Sequence, residues 1–263
     1  MNPLHAHLKG LAARGEKALV LFVTAGDQPL DELPELLRTL EEGGADVIEV
    51  GLPFSDPYGE GPTIQASSQR ALDSGATTSR ILDAMSTADL HIPMVTMGYT
   101  NPVLHMGLRE FARRSREAGS TGTILSDLVP DEAHEWAKVS AEAGLGTIFL
   151  VAPTSTDQRI REVVSLSSGF VYAVSRTGVT GAENEVPPDV DHLVRKVRAL
   201  TDLPICVGFG ISTPEHVRRV CRVADGAVVG SSLVKLLHER WHHGEGRGGV
   251  LDMVRSLKSA TRE

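Results

Sequence analysis

Glu49, Asp56 and Glu60 fall close together in VIEVGLPFSDPYGEGPTIQ, residues 47–65 of this 263-residue chain. Glu49 interrupts an apolar run of β type, and a carboxylate among Val47, Ile48, Val50 and Leu52 is costly to desolvate unless it is paired, protonated or used. The run breaks at Pro53 into a loop of Pro, Gly, Ser and Asp, a surface loop by composition. Gly61-Pro62 closes that loop, and a helix-like stretch starts at Ile64. A lone acid at a strand end is more often structural than catalytic. An acid inside an apolar strand, beside an acidic loop, is a candidate for general acid–base work.

Three Gly-centred turns offer a complementary chemistry: TGVTG (177–181), GFGIS (208–212) and GSS (230–232). Glycine lets backbone N–H groups approach an anion closely. Any one of these turns could simply be a tight turn; together, on one face of a fold, they point to a phosphate.

The elements that must position these groups alternate. An amphipathic helix, Leu4 to Ala13 with Leu4, Leu8 and Leu11 on one face, precedes the continuous apolar run Ala18 to Asp27, which reads as a strand buried on both faces. Leu33, Leu36, Leu37 and Leu40 share a face of a helix over Leu30 to Glu42, and the second strand covers Ala45 to Gly51. Six more short apolar strands follow: Pro93–Gly98, Gly122–Ser126, Gly146–Val151, Phe170–Ser175, Pro204–Gly210 and Gly226–Gly230. Helical segments lie around Phe111–Ala118, Glu132–Ala143, Gln158–Leu166, Val190–Leu200 and Pro214–Val220, and a last one runs from Val250 to Thr261. Eight strand–helix alternations in a chain of this length predict a single (β/α)8 barrel domain over residues 1–263, with an extra N-terminal helix. The open doubly wound sheet is the rival, and no GxGxxG follows the first strand. In a barrel the loops after the strands form the functional face, so the loops at 53–63 and 176–188 and the three glycine turns converge there.

Composition bounds the partners. The chain has 34 Asp and Glu against 26 Lys and Arg, a net charge of −8 that argues against nucleic-acid and anionic-membrane binding but not against a small anionic ligand. Cys206 and Cys221 form no disulfide framework or metal spacing, and the ten histidines are scattered, so no metal is expected. The start, MNPLHAHLKG, lacks the apolar segment of a signal peptide, and no run approaches membrane-spanning length. These features lead to the expectation of a cytoplasmic, reduced protein.

The residues then match a known family. The segments FVTAGD, VIEVGLPFSDP, GPTIQ, TNPV, IFLVAPTSTDQRI, VYAVSRTGVTGAE, VGFGIS and DGAVVGSS make the chain resemble the tryptophan synthase α subunit family along nearly its whole length. The resemblance implies cleavage of indole-3-glycerol phosphate to indole and glyceraldehyde 3-phosphate. It puts the catalytic acid–base at Glu49 and a second catalytic carboxylate at Glu60. Phe22 and Tyr172 match positions near the indole pocket, and Thr180 matches a further substrate-binding position. Gly181, Phe209, Gly210, Gly230 and Ser231 match the phosphate-binding positions. Pro53, Asp56, Pro57 and Asn101 match the interface with the β subunit of an α2β2 heterotetramer. No cofactor is implied here, since pyridoxal phosphate belongs to the β subunit.

Two segments depart from the family pattern. Where the family usually reads DPLADGP, this chain reads DPYGEGP, so Glu60 stands in place of aspartate and Tyr58-Gly59 in place of Leu-Ala. In SDLVPDE the proline falls three residues after the aspartate rather than two. Three readings stay open on the sequence: an α subunit working with a β subunit, a stand-alone lyase releasing indole, and a barrel that binds a phosphorylated ligand and modulates a partner without catalysis. The longer acid at position 60 suggests that Gly59 supplies backbone freedom to seat it.

Overall fold

A computed structural model describes residues 2–175 and 189–262. Eight parallel strands close into a barrel in chain order, the eighth pairing with the first. They are β1 (Ala18–Thr24), β2 (Val47–Gly51), β3 (Met94–Gly98), β4 (Ser120–Leu125), β5 (Gly146–Val151), β6 (Val171–Val174), β7 (Ile205–Gly208) and β8 (Gly226–Val229). The helices that return the chain are α1 (Pro3–Ala13), α2 (Leu33–Gly43), α3 (Pro62–Asp73), α4 (Thr78–Met85), α5 (Thr100–Met106) and α6 (Leu108–Glu117). There follow α7 (His134–Ala143), α8 (Asp157–Leu166), α9 (Asp189–Arg198), α10 (Pro214–Cys221), α11 (Ser231–Arg240) and α12 (Arg247–Ala260). This is the expected (β/α)8 barrel with an added N-terminal helix.

The apolar strand runs are explained by two cores. Val20, Phe22, Val47, Val95, Ile124 and Ile148 point into the barrel, while Leu19, Leu21, Val23, Ile48 and Val50 pack outward against the helices. Residues of alternate parity on one strand thus serve different cores, which is why the sequence shows a continuous run rather than an alternation. Each fully buried aliphatic or aromatic side chain contributes about 1.5–3 kcal/mol.

α1 closes the base of the barrel. Asn2 caps it, accepting from Leu4 N–H at 2.9 Å and donating to the Thr121 carbonyl at 3.0 Å. Leu4, Leu8 and Leu11 are buried in the inner core. A methyl group at Gly122 or Gly169 would come within 3.3 Å or 2.8 Å of Leu4 Cδ2, so these glycines clear the floor on which the helix sits.

Several boundaries differ from the sequence reading. β1 ends at Thr24 rather than Asp27, because Asp27 turns away to accept a two-pronged ion pair from Arg70 at 2.6 and 3.0 Å. β7 ends at Gly208 rather than Gly210: Phe209 and Gly210 have φ of 68° and 84°, in the left-handed region, where a strand cannot continue. α4 and α5 had no counterpart in that reading, and α12 begins three residues before Val250, at Arg247.

Candidate active site

β1 and β2 pair with Phe22 opposite Glu49. Glu49 is fully buried, and among the described residues neither of its carboxylate oxygens has a hydrogen-bond partner. Burial, and then the charge of Glu60, push its carboxyl up to about 8, so at neutral pH it holds its proton. Glu60, expected on a surface loop, is 9% exposed, and burial pushes its carboxyl up to about 7. Most of the loop does lie on the surface, with Ser55, Asp56, Tyr58 and Gly59 exposed, but its end turns Glu60 into the barrel mouth. Its closing turn holds it there, with Gln65 Nε2 donating to the Glu60 carbonyl at 2.9 Å as α3 begins.

Both carboxyls line one cavity of about 520 Å³. Phe22 and Tyr172 wall it, each over a glycine. Any side chain at Gly51 would run into the Phe22 ring, and any at Gly208 into Tyr172, so the rings lie flat only because those strands end in glycine. Phe209 meets Tyr172 edge-on, with ring centroids 5.8 Å apart. The result is a flat apolar slot with an acid at its floor, suited to an aromatic bicycle.

Part of the same cavity wall is polar. Gly210, Gly230, Ser231, Ser232 and Lys235 line it. α11 starts at Ser231 with no side-chain cap, and Ser232 Oγ is buried without a partner among the described residues. α10, by contrast, spends Thr213 on capping His216 N–H at 3.2 Å. An uncapped helix N-terminus beside successive left-handed residues presents free N–H groups to an anion. The Phe209 carbonyl is held by the Ser175 hydroxyl, which fixes the turn.

The cavity therefore gathers Glu49, Glu60, Phe22, Tyr172, Phe209, Gly210, Gly230 and Ser231. Thr180 and Gly181, with the rest of the loop at 176–188, lie outside the described residues. The four residues expected at a partner interface do not form one exposed set: Asp56 and Asn101 are exposed, whereas Pro53 and Pro57 are buried. The large apolar side chains exposed among the described residues are Tyr58, Leu104 and Val129, each in the segment that follows a strand: β2, β3 and β4.

Sequence reasoning passed over Tyr99. Its hydroxyl accepts the Gly59 N–H at 3.1 Å, and its ring stacks on Phe54 and meets Tyr58 edge-on, at centroid distances of 5.0 and 5.6 Å. A Cβ at Gly59 would stand 3.3 Å from that hydroxyl. Gly59 does not adopt the left-handed φ that only glycine takes easily, so the backbone-freedom account is corrected: the missing side chain lets the Tyr99 hydroxyl approach, and an alanine would make that hydroxyl give by a few tenths of an ångström. An aromatic directly after a strand, in GYTNP, was the available signal.

Comparison with known proteins agrees with this geometry. The family model described as tryptophan synthase alpha chain matches residues 8–261. The tryptophan synthase alpha chain of Geotalea uraniireducens is 48% identical over 241 residues, covering 91% of this chain and 90% of its own. That of Desulfatibacillum aliphaticivorans is 42% identical over 264 residues and covers both chains fully. Among solved structures, a chain of Mycobacterium tuberculosis tryptophan synthase superposes with a TM-score of 0.92 at 36% identity, over 100% of this chain and 99% of that one. The Legionella pneumophila tryptophan synthase subunit alpha gives 0.90 at 33% identity, over 99% and 98%. The chain belongs to the tryptophan synthase alpha chain family.

Proposed function

We propose that this chain is a carbon–carbon lyase that cleaves indole-3-glycerol phosphate to indole and glyceraldehyde 3-phosphate in tryptophan biosynthesis. The observation that carries this reading is the fully buried Glu49 in one cavity with Glu60 and an uncapped helix N-terminus.

The indole lies in the slot between Phe22 and Tyr172, and the phosphate takes the N–H groups at Gly210, Gly230 and Ser231. Glu49 gives its proton to the ring carbon that bears the glycerol chain. Positive charge then develops on the ring nitrogen, whose N–H donates to the Glu60 carboxylate. The Glu49 carboxylate next takes the proton of the adjacent side-chain hydroxyl. The O–H electrons form the aldehyde carbonyl, the carbon–carbon bond breaks, and its electrons return to the ring. Indole and the phosphorylated aldehyde leave, with Glu49 protonated as it began.

We read the exposed apolar rim of Tyr58, Leu104 and Val129, with Asp56 and Asn101, as the face offered to a tryptophan synthase β subunit, with Pro53 and Pro57 shaping the loop behind it. A steady-state assay of indole release from indole-3-glycerol phosphate, with and without a cognate β subunit, tests both parts. Turnover that rises with the β subunit is expected. No turnover in either case would overturn the lyase, and an unchanged rate would overturn the pairing.

A further inference from the structure

Adjoining the large cavity, with Phe22, Glu60, Ile64 and Met97 as shared wall, lies a second one of about 20 Å³, lined also by Thr24, Ser68, Tyr99 and Ser126. Its volume suits a single water, and a stable buried water needs two to four polar partners. The hydroxyls around it have definite spare capacity. Ser126 Oγ is buried and has no partner among the described residues. Tyr99 Oη already accepts the Gly59 N–H, so its own proton is free to donate. Ser67 spends its proton on the Ile64 carbonyl at 2.8 Å, so it must accept from Thr24 at 2.7 Å, and Thr24 is left as an acceptor. Glu60, when ionised, is an acceptor too. With Ser68 a further hydroxyl on the wall, the spare donors of Tyr99 and Ser126 and the spare acceptors of Thr24 and Glu60 can all be met by one tetrahedral water.

We propose that this cavity is a built site for one water molecule, which joins the Glu60 carboxylate to Tyr99 and Ser126. The water accepts from Tyr99 and Ser126 and donates to Glu60 and Thr24. It makes Tyr99 a positioning residue on two counts, through the Gly59 backbone and through the water. A carboxylate hydrogen-bonded in this way keeps its ionised form at lower pH than one packed dry.

The site is independent of the lyase reading, and its test does not use turnover. A crystal structure of the full chain, at a resolution that places ordered water, should show one water within hydrogen-bonding range of Glu60, Tyr99 and Ser126. In Ser126→Val the added methyls should displace it. The Glu60 carboxyl, followed by ¹³C NMR, should then titrate higher by about half a pH unit, the scale of one hydrogen bond to a carboxylate. Ser126→Ala, with less bulk, should shift it in the same direction. The other ionisable groups near this site, Glu49, Tyr58, Asp127 and Tyr172, are the same in all three proteins. A dry cavity, a direct Tyr99–Glu60 hydrogen bond, or a Glu60 titration unmoved in both variants would overturn the proposal.

Discussion

Glu49 and Glu60 share one cavity, and the charge of the second adds to burial in keeping the proton on the first. The lyase cycle needs Glu49 protonated and Glu60 ionised. With carboxyls near 8 and 7, that combination peaks in a narrow window between them. The plot of log kcat/KM against pH should be bell-shaped, with its acid limb set by Glu60 and its basic limb by Glu49. Glu49→Gln keeps the shape but cannot move a proton. It should lose at least ~10²-fold in kcat while still binding glycerol 3-phosphate, as measured by calorimetry.

The same buried carboxyl bears on stability. Its pKa is 4.5 in the ordinary state and about 8 when folded, so the folded chain holds more protons between those values. Any stabilisation from Glu49 is fully present below pH 4.5 and is lost as pH rises through 8. Glu49→Gln has no charge to bury. In urea melts it should be more stable than the parent at pH 8.5 by at least about 1 kcal/mol, with the difference shrinking towards pH 5. Equal stability at both pH values would mean that Glu49 is not buried as described.

Gly210 and Gly230 separate backbone need from ligand need. Gly210 has φ of 84°, so any side chain there strains the turn. Gly230 has φ of −123°, and an added methyl would only touch Phe22 Cβ at 3.4 Å. Gly230→Ala should therefore melt close to the parent and, since alanine keeps its N–H, still bind glycerol 3-phosphate, whereas Gly230→Asp should bind it at least about tenfold more weakly by setting a like charge beside the anion. Gly210→Asp should lose both stability and binding. Full affinity in Gly230→Asp would move the phosphate elsewhere.

The loop carrying Glu60 is the chain's departure from its family pattern, and its parts touch: Tyr58 and Gly59 both meet Tyr99. Glu60→Ala should cost kcat/KM about tenfold or more. Glu60→Asp alone should not improve on the parent, since the loop is set for the longer acid. Combining it with Gly59→Ala and Tyr58→Leu should recover activity non-additively. A Glu60→Ala variant as active as the parent would leave Glu49 as the working carboxylate.

The barrel was legible because its strands are apolar on both sides and its helices carry one apolar stripe, both of which follow from local burial. Ile81, Leu82 and Met85 of α4 carried the same helical spacing, with Thr77 as cap, but in a short segment that the strand count did not require. The site was legible only in part. Glu49 stood out because its neighbours are apolar, whereas loop composition placed Glu60 in solvent. Composition reports what a segment can tolerate, not where the mouth of the barrel draws it. Tyr99 and Ser126 escaped notice because their importance lies in spare hydrogen-bonding capacity, which exists only once the neighbouring donors and acceptors are assigned.

The helix beneath the barrel gives the reaction a direction. With Leu4 seated over Gly122 and Gly169, the described residues form a vessel sealed at its base. Among the described residues, then, the way in and out is the mouth that the strand-end loops surround. A protein docked on that rim would thus stand across the products' way out without touching either carboxylate.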